Sequence, residues 1–127
     1  MPYNDLFNPQ NMELLRPIHP SQVVDDKNTG QRRPSSAVFK DPNLSIGIEP
    51  ILYDRGLSWE FSLRNHPGYS LVRFSAQSAI KEGLTVVPKP RAENPAHAEV
   101  VGKKTPGKAD AFGDASVWVH FAPAIEK

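Results

Sequence analysis

Apolar and polar residues alternate most strictly over residues 57–63, where Leu57, Trp59, Phe61 and Leu63 are separated by Ser58, Glu60 and Ser62. Successive side chains of an extended chain point to opposite faces, so this stretch predicts a half-buried strand. Weaker alternation predicts strands at 44–48, 69–74, 84–87 and His97–Val101, with a short one at Ser36–Phe39. A first strand is expected at Glu13–Ile18. Pro17 cannot donate to a ladder and so is expected to confine that strand to an edge or a bulge. Residues 21–30 read as a turn or a single helical turn closing on Asn28-Thr29-Gly30, and 50–56 as a connection.

The clearest helical pattern covers 75–83. Ser75 can cap the first turn, Ala76, Ala79 and Ile80 share a face, and Gly83 stops the helix. A rigid proline-rich loop is expected at 88–95 and a basic loop at 102–107. Residues 116–121 fit a strand by alternation and equally a helix capped by Asp114. Strands, one helix and then more strands show no regular βαβα alternation, which disfavours a doubly wound parallel sheet. The expected fold is a single compact α+β domain over residues 13–127, with a mixed or antiparallel curved sheet and one or two short helices. Residues 1–12 are expected to form a flexible N-terminal arm.

Composition narrows the class. The chain has 127 residues, enough for one core, and thirteen prolines, about twice the ordinary share of roughly 5%. So much proline predicts short elements and much ordered loop. With no cysteine there is no disulfide, thiolate metal site or cysteine nucleophile, which suits a reducing compartment. The stretch MPYNDLFNPQNMELL lacks the basic and apolar regions of a secretory leader, and no window reaches the roughly 18 apolar residues of a membrane span. A cytoplasmic location without a membrane partner is expected. Formal charge is +1, but between positions 32 and 108 twelve basic residues face seven acidic ones. A basic turn at Gly102-Lys103-Lys104-Thr105 lacks the spacing of a phosphate-binding loop and has no interleaved aromatics for base stacking, which disfavours nucleic acid as a partner.

Candidate chemistry gathers in two places. Arg16 and His19 lie in LLRPIHP, and Arg33, Ser35 and Ser36 in RRPSSAVF. If the two segments were neighbours, their guanidinium groups and hydroxyls could hold a phosphate. The alternative is turn chemistry, with the hydroxyls bonded to their own backbone. The second place is His97-Ala98-Glu99: residues two apart on a strand face the same side, so His97 could serve as a general base or a ligand beside Glu99. No HExxH-type spacing occurs and no metal site is expected. The sequence specifies no cofactor.

The order Arg16 (or His19), Ser35-Ser36 and Glu99 resembles the arginine or histidine, serine and glutamate of ADP-ribosyltransferases. That resemblance implies Arg16 on an NAD phosphate or ribose, a serine on the nicotinamide ribose and Glu99 as the catalytic residue whose negative charge stabilises an oxocarbenium-like transition state. The chain departs from the pattern in that its serines are adjacent and His97 stands two before Glu99. Across most of the chain, LLRPIHPSQVV, RPSSAVFKDPNLSI, PGYSLVRFSAQSA and NPAHAEVVGKK resemble a family of small uncharacterised bacterial proteins, which implies a one-domain prokaryotic protein and no particular activity. The expected role is a binding module for a protein partner or a phosphate-bearing small molecule. The alternatives are a nucleotide- or NAD-dependent transferase and, more weakly, a nucleic-acid binder.

Overall fold

The computed structural model describes residues 12–25 and 29–121, apart from the side chains of Ser36, Pro106, Asp110 and Asp114. The expected N-terminal arm falls mostly outside the described residues. Its last residue, Met12, is buried, and its carbonyl accepts from Ala76 N at 3.0 Å.

Strand β1 (Glu13–Ile18) is followed by the hairpin β2 (Val23–Asp25) and β3 (Arg32–Pro34), then β4 (Asn43–Ile48), β5 (Ser70–Ser75), β6 (Thr85–Pro88), β7 (His97–Val101) and β8 (Val117–His120). Six of these form one sheet in the order β6-β7-β4-β1-β5-β8, and β2 and β3 form a separate pair. Every pairing is antiparallel. The protein is a single α+β domain, and among the described residues no helix is long and apolar enough to cross a membrane.

Register sorts the side chains onto two faces, because directly paired residues of an antiparallel ladder point the same way. Leu14 pairs with Ile48 and Phe74, Leu44 with Val100, and Ile46 with Ala98, making one continuous apolar face. It is covered by helix α3 (Pro106–Ala115), the 3-10 turn Ser36–Phe39 and, beside α3, helix α2 (Ala76–Lys81). The rings of Phe39, Phe74 and Phe112 meet there with centroids 5.6–6.1 Å apart. The opposite face carries Leu15, Gly47, Leu71, Arg73 and His97, and is covered at one end by helix α1 (Glu49–Asp54) and the 3-10 helix Trp59–Leu63.

Several expectations changed in the folded chain: residues 50–56, expected as a connection, carry most of helix α1, and the expected turn at 21–30 contains strand β2. The strictly alternating segment is a 3-10 helix, Trp59–Leu63, and not a strand. Ser58 accepts from Glu60 N at its start, and Arg64 donates to the Phe61 carbonyl at its end. It lies across the sheet, and Leu57, Trp59, Phe61 and Leu63 are only half-buried, packed against the core. The Ser36–Phe39 segment is likewise a 3-10 turn, capped by Ser35 accepting from Ala37 N. Strand β1, expected at an edge or a bulge, is interior. The bond from Ala76 N to Met12 O puts the even-numbered backbone groups of β1 on the β5 side, so Pro17 withholds its missing N–H from β4. Pairing with β4 ends at Leu15↔Gly47, just before that gap, while pairing with β5 continues to Ile18.

Helix α3 follows the basic loop. Thr105 caps it by accepting from Lys108 N, and Pro106 opens its first turn. Residues 117–120 are a strand, which decides the open alternative for this segment. Just before α3, buried Lys104 donates all three Nζ protons to carbonyls: Pro42 at 3.2 Å, Val100 at 2.8 Å and Gly102 at 3.0 Å. Lys104→Met keeps the stem but strands these acceptors, and should destabilise the fold by about 2 kcal/mol. A lower urea midpoint with an unchanged denaturant slope would show this; an unchanged midpoint would contradict it.

Candidate functional site

Beyond Gly47 the separating strands β1 and β4 leave a gap. Arg16 bridges it, donating from Nη1 to the Ser45 carbonyl at 3.0 Å, where no ladder bond from Pro17 can form. Its Nε is buried without a hydrogen-bond partner. Burial pulls the Arg16 guanidinium below its ordinary value, with Asp41 and Tyr69 pulling the other way. An arginine this basic nevertheless stays charged. The result is a half-buried cation whose one side-chain bond among the described residues goes to a neutral carbonyl.

Arg16, which by register leaves β1 on the same side as Leu14, lines together with Gly47 and His97 a cleft of about 370 Å³ at the gap between β1 and β4. Gly47 makes room for it: a Cβ there would stand 3.6 Å from Ser62 Oγ, so the 3-10 helix approaches the sheet closely at this point. One wall is the end of that helix. Arg64 stacks on the Phe61 ring, 3.7 Å from its centroid, and donates to the carbonyls of Phe61 and Glu93 at 2.8 Å each. The second bond ties this wall to the opposite one, the loop between β6 and β7.

That loop is held at several points. Arg91 and Asn94 exchange backbone bonds of 3.0 Å around a tight turn, and Asn94 Oδ1 accepts from Ala96 N at 3.1 Å. At its base Lys89 N donates to the His97 carbonyl at 2.9 Å, and His97 Nδ1 lies 3.0 Å from the Lys89 carbonyl. A carbonyl only accepts, so Nδ1 carries a proton, and Nε2 of the neutral ring is an acceptor. The turn presents Arg91, Glu93 and Asn94 to the cleft, and Asn65 and His66 line its other side. Among the described residues the lining thus holds three arginines, two histidines and one carboxylate, Glu93.

The chain matches no protein family, no curated protein and no solved structure. The reading of this cleft rests on its own chemistry.

Of the residues expected to matter, the fold brings Arg16 and His97 to one cleft. His19 stands beside it. Its Nδ1 accepts from Ser21 N at 3.0 Å to cap a 3-10 turn, and its ring meets Tyr69 edge-on at 5.1 Å, while Tyr69 in turn packs on His66 at 4.7 Å. Arg33, Ser35 and Ser36 lie elsewhere. Arg33 is on the separate β2–β3 pair and donates to its neighbour Pro34 O, and Ser35 caps the turn that packs with α3 over the Phe74 face. The Ser36 side chain is outside the described residues. Glu99 shares a face with His97 by register, as expected, but is not part of the cleft lining and pairs with Lys89 at 3.3 Å. Of Arg16, Ser35 and Glu99, the cleft lining therefore includes only Arg16. Among the described residues no group of three histidine or acidic side chains is placed to hold a metal ion.

Arg64, Arg91 and Asn94 were not foreseen. Arg91 and Asn94 belong to the proline-rich loop, where PRAENP marks a tight turn, and Arg64 leads from the alternating segment into the turn that carries His66; both segments read only as connections.

Proposed function

We propose that the chain is a binding module that captures a small phosphate-bearing ligand in this cleft. The observation that carries the reading is Arg16, a half-buried guanidinium with a partnerless Nε and, among the described residues, no carboxylate bonded to it. Partial desolvation offset only by the charge of Asp41, with no bond between the two, costs free energy that an incoming anion offsets. Arg64 and Arg91 add charge on both walls, and guanidinium groups match the planar spacing of phosphate oxygens. The absence of cysteine supports placing the module in the cytoplasm.

Inorganic phosphate titrated into the protein should give a saturable signal that weakens with added salt. Arg16→Met should weaken binding by roughly tenfold or more, the share of one charge-assisted contact. Gly47→Ala supplies an independent check. Gly47 needs no left-handed backbone, and the Cβ of alanine meets only an ordinary contact, so the strand accepts it while the cleft floor loses room. Both variants should unfold cooperatively near the wild-type midpoint and bind phosphate poorly. Undiminished binding in both would place the anion site elsewhere.

A further inference from the structure

Resting on the cleft reading above, we infer that the ligand is a hydroxylated phosphate monoester of sugar-phosphate size. The cleft is more than a cationic hole. Glu93 lines it beside Arg91, and its carboxylate has no ion-pair partner among the described residues. A carboxylate in an anion site opposes binding unless it accepts a hydrogen bond from the ligand, and a hydroxyl is the group that donates one without adding charge. Neutral polar groups stand near it. Asn94 spends Oδ1 on Ala96 N and keeps its amide protons, and neither the Asn65 amide nor the Ser62 hydroxyl is engaged with another described residue. Carboxylate, amide and hydroxyl together both accept from and donate to vicinal hydroxyls.

The same lining disfavours a nucleobase. Among the described residues no Phe, Tyr or Trp lines the cleft, the Phe61 ring is covered by Arg64, His66 is packed against Tyr69, and His97 is buried with its ring held at the Lys89 carbonyl. Base recognition commonly relies on such a stacking surface. At about 370 Å³ the space is near the lower end of the roughly 300–1,000 Å³ typical of ligand pockets, which suits a compact polyol phosphate.

Calorimetric titration of the full chain with inorganic phosphate, ribose, ribose 5-phosphate and AMP tests this. Ribose 5-phosphate should bind about tenfold more tightly than inorganic phosphate, ribose alone should give no signal, and AMP should gain nothing over ribose 5-phosphate. Glu93→Ala should weaken ribose 5-phosphate several-fold while leaving inorganic phosphate unchanged or slightly tighter, because it removes a negative charge. A merely structural role for Glu93 would move both ligands together. The inference is overturned if ribose 5-phosphate binds no better than phosphate, if AMP binds tenfold more tightly than ribose 5-phosphate, or if Glu93→Ala leaves the ratio of the two affinities unchanged. In each of those cases phosphate binding that is lost in Arg16→Met still upholds the cleft as an anion site. Failure of phosphate itself to bind overturns both.

Discussion

Phe74→Ala should destabilise the protein by about 3–5 kcal/mol, a large part of the roughly 5–15 kcal/mol that holds a typical domain together. Phe74 sits on interior strand β5, pairs with Leu14 across the ladder, and is 1% exposed. Its ring lies 6.0 Å from Phe39 and 5.6 Å from Phe112. Truncation leaves a cavity between the sheet on one side and α3 and the Ser36–Phe39 turn on the other. Neither side can close it easily: β5 is held by β1 and β8, and α3 is anchored at its start by the Thr105 cap. Chemical denaturation should show the loss as a lower midpoint. A change below about 1 kcal/mol would mean that Phe39 and Phe112 collapse into the space, and that the three rings are not the rigid centre described above.

Arg73→Met should cost about 3 kcal/mol at neutral pH by leaving a buried carboxylate without its counter-charge. Glu49 is 4% exposed at the start of α1. Arg73 from β5 holds it with two bonds of 2.7 Å, Nε to Oε1 and Nη2 to Oε2, and the Tyr53 hydroxyl donates to Oε2. Burial alone would raise the Glu49 carboxyl, but the bonds from Arg73 and Tyr53 and the charge of Arg73 outweigh it and hold the group below its ordinary value. A carboxyl lowered in the folded state stabilises the fold above its unfolded value, near about 4.3, and that share is lost as pH falls through the folded value. The variant has no such share to lose, because burial then favours the protonated acid. The stability gap between wild type and Arg73→Met should therefore be widest near neutral pH and shrink below about pH 4. A gap independent of pH would show that Arg73 contributes through packing rather than through charge.

The same residues show what a sequence can carry. Strands β4, β5, β6 and β7 were legible because each is a short run whose alternate residues meet the core on one side. Helix α2 was legible because both its signals are local: Ser75 accepts from Ser78 N, and Gly83 takes the left-handed φ of 80° that stops the helix. Helix α3 carried comparable marks in Thr105 and Pro106, but they lay hidden in a basic stretch that reads as loop. For residues 57–63 the alternation was real and the inference of a strand failed. Half-buried side chains on a segment laid across a sheet satisfy the same pattern, and the Ser58 hydroxyl supplied a local bond that an extended chain would not use.

From residue types and spacing alone came the α+β class, most of the strands, and Arg16 and His97 as groups worth following. The partners of Arg16 could not be read the same way. Ser45, Gly47, Arg64 and Arg91 reach it only because β1 lies inside the sheet, parts from β4 after Leu15, and is overhung by a 3-10 helix and a latched turn from distant parts of the chain. Likewise Ser35, close to the arginines of its own segment in sequence, was carried away from the cleft lining by a turn packed against α3. Local pattern reports which way a side chain faces relative to its own backbone. Which charges then share a cavity depends on strand order and on where pairing stops, and those are settled by burying the whole apolar surface at once.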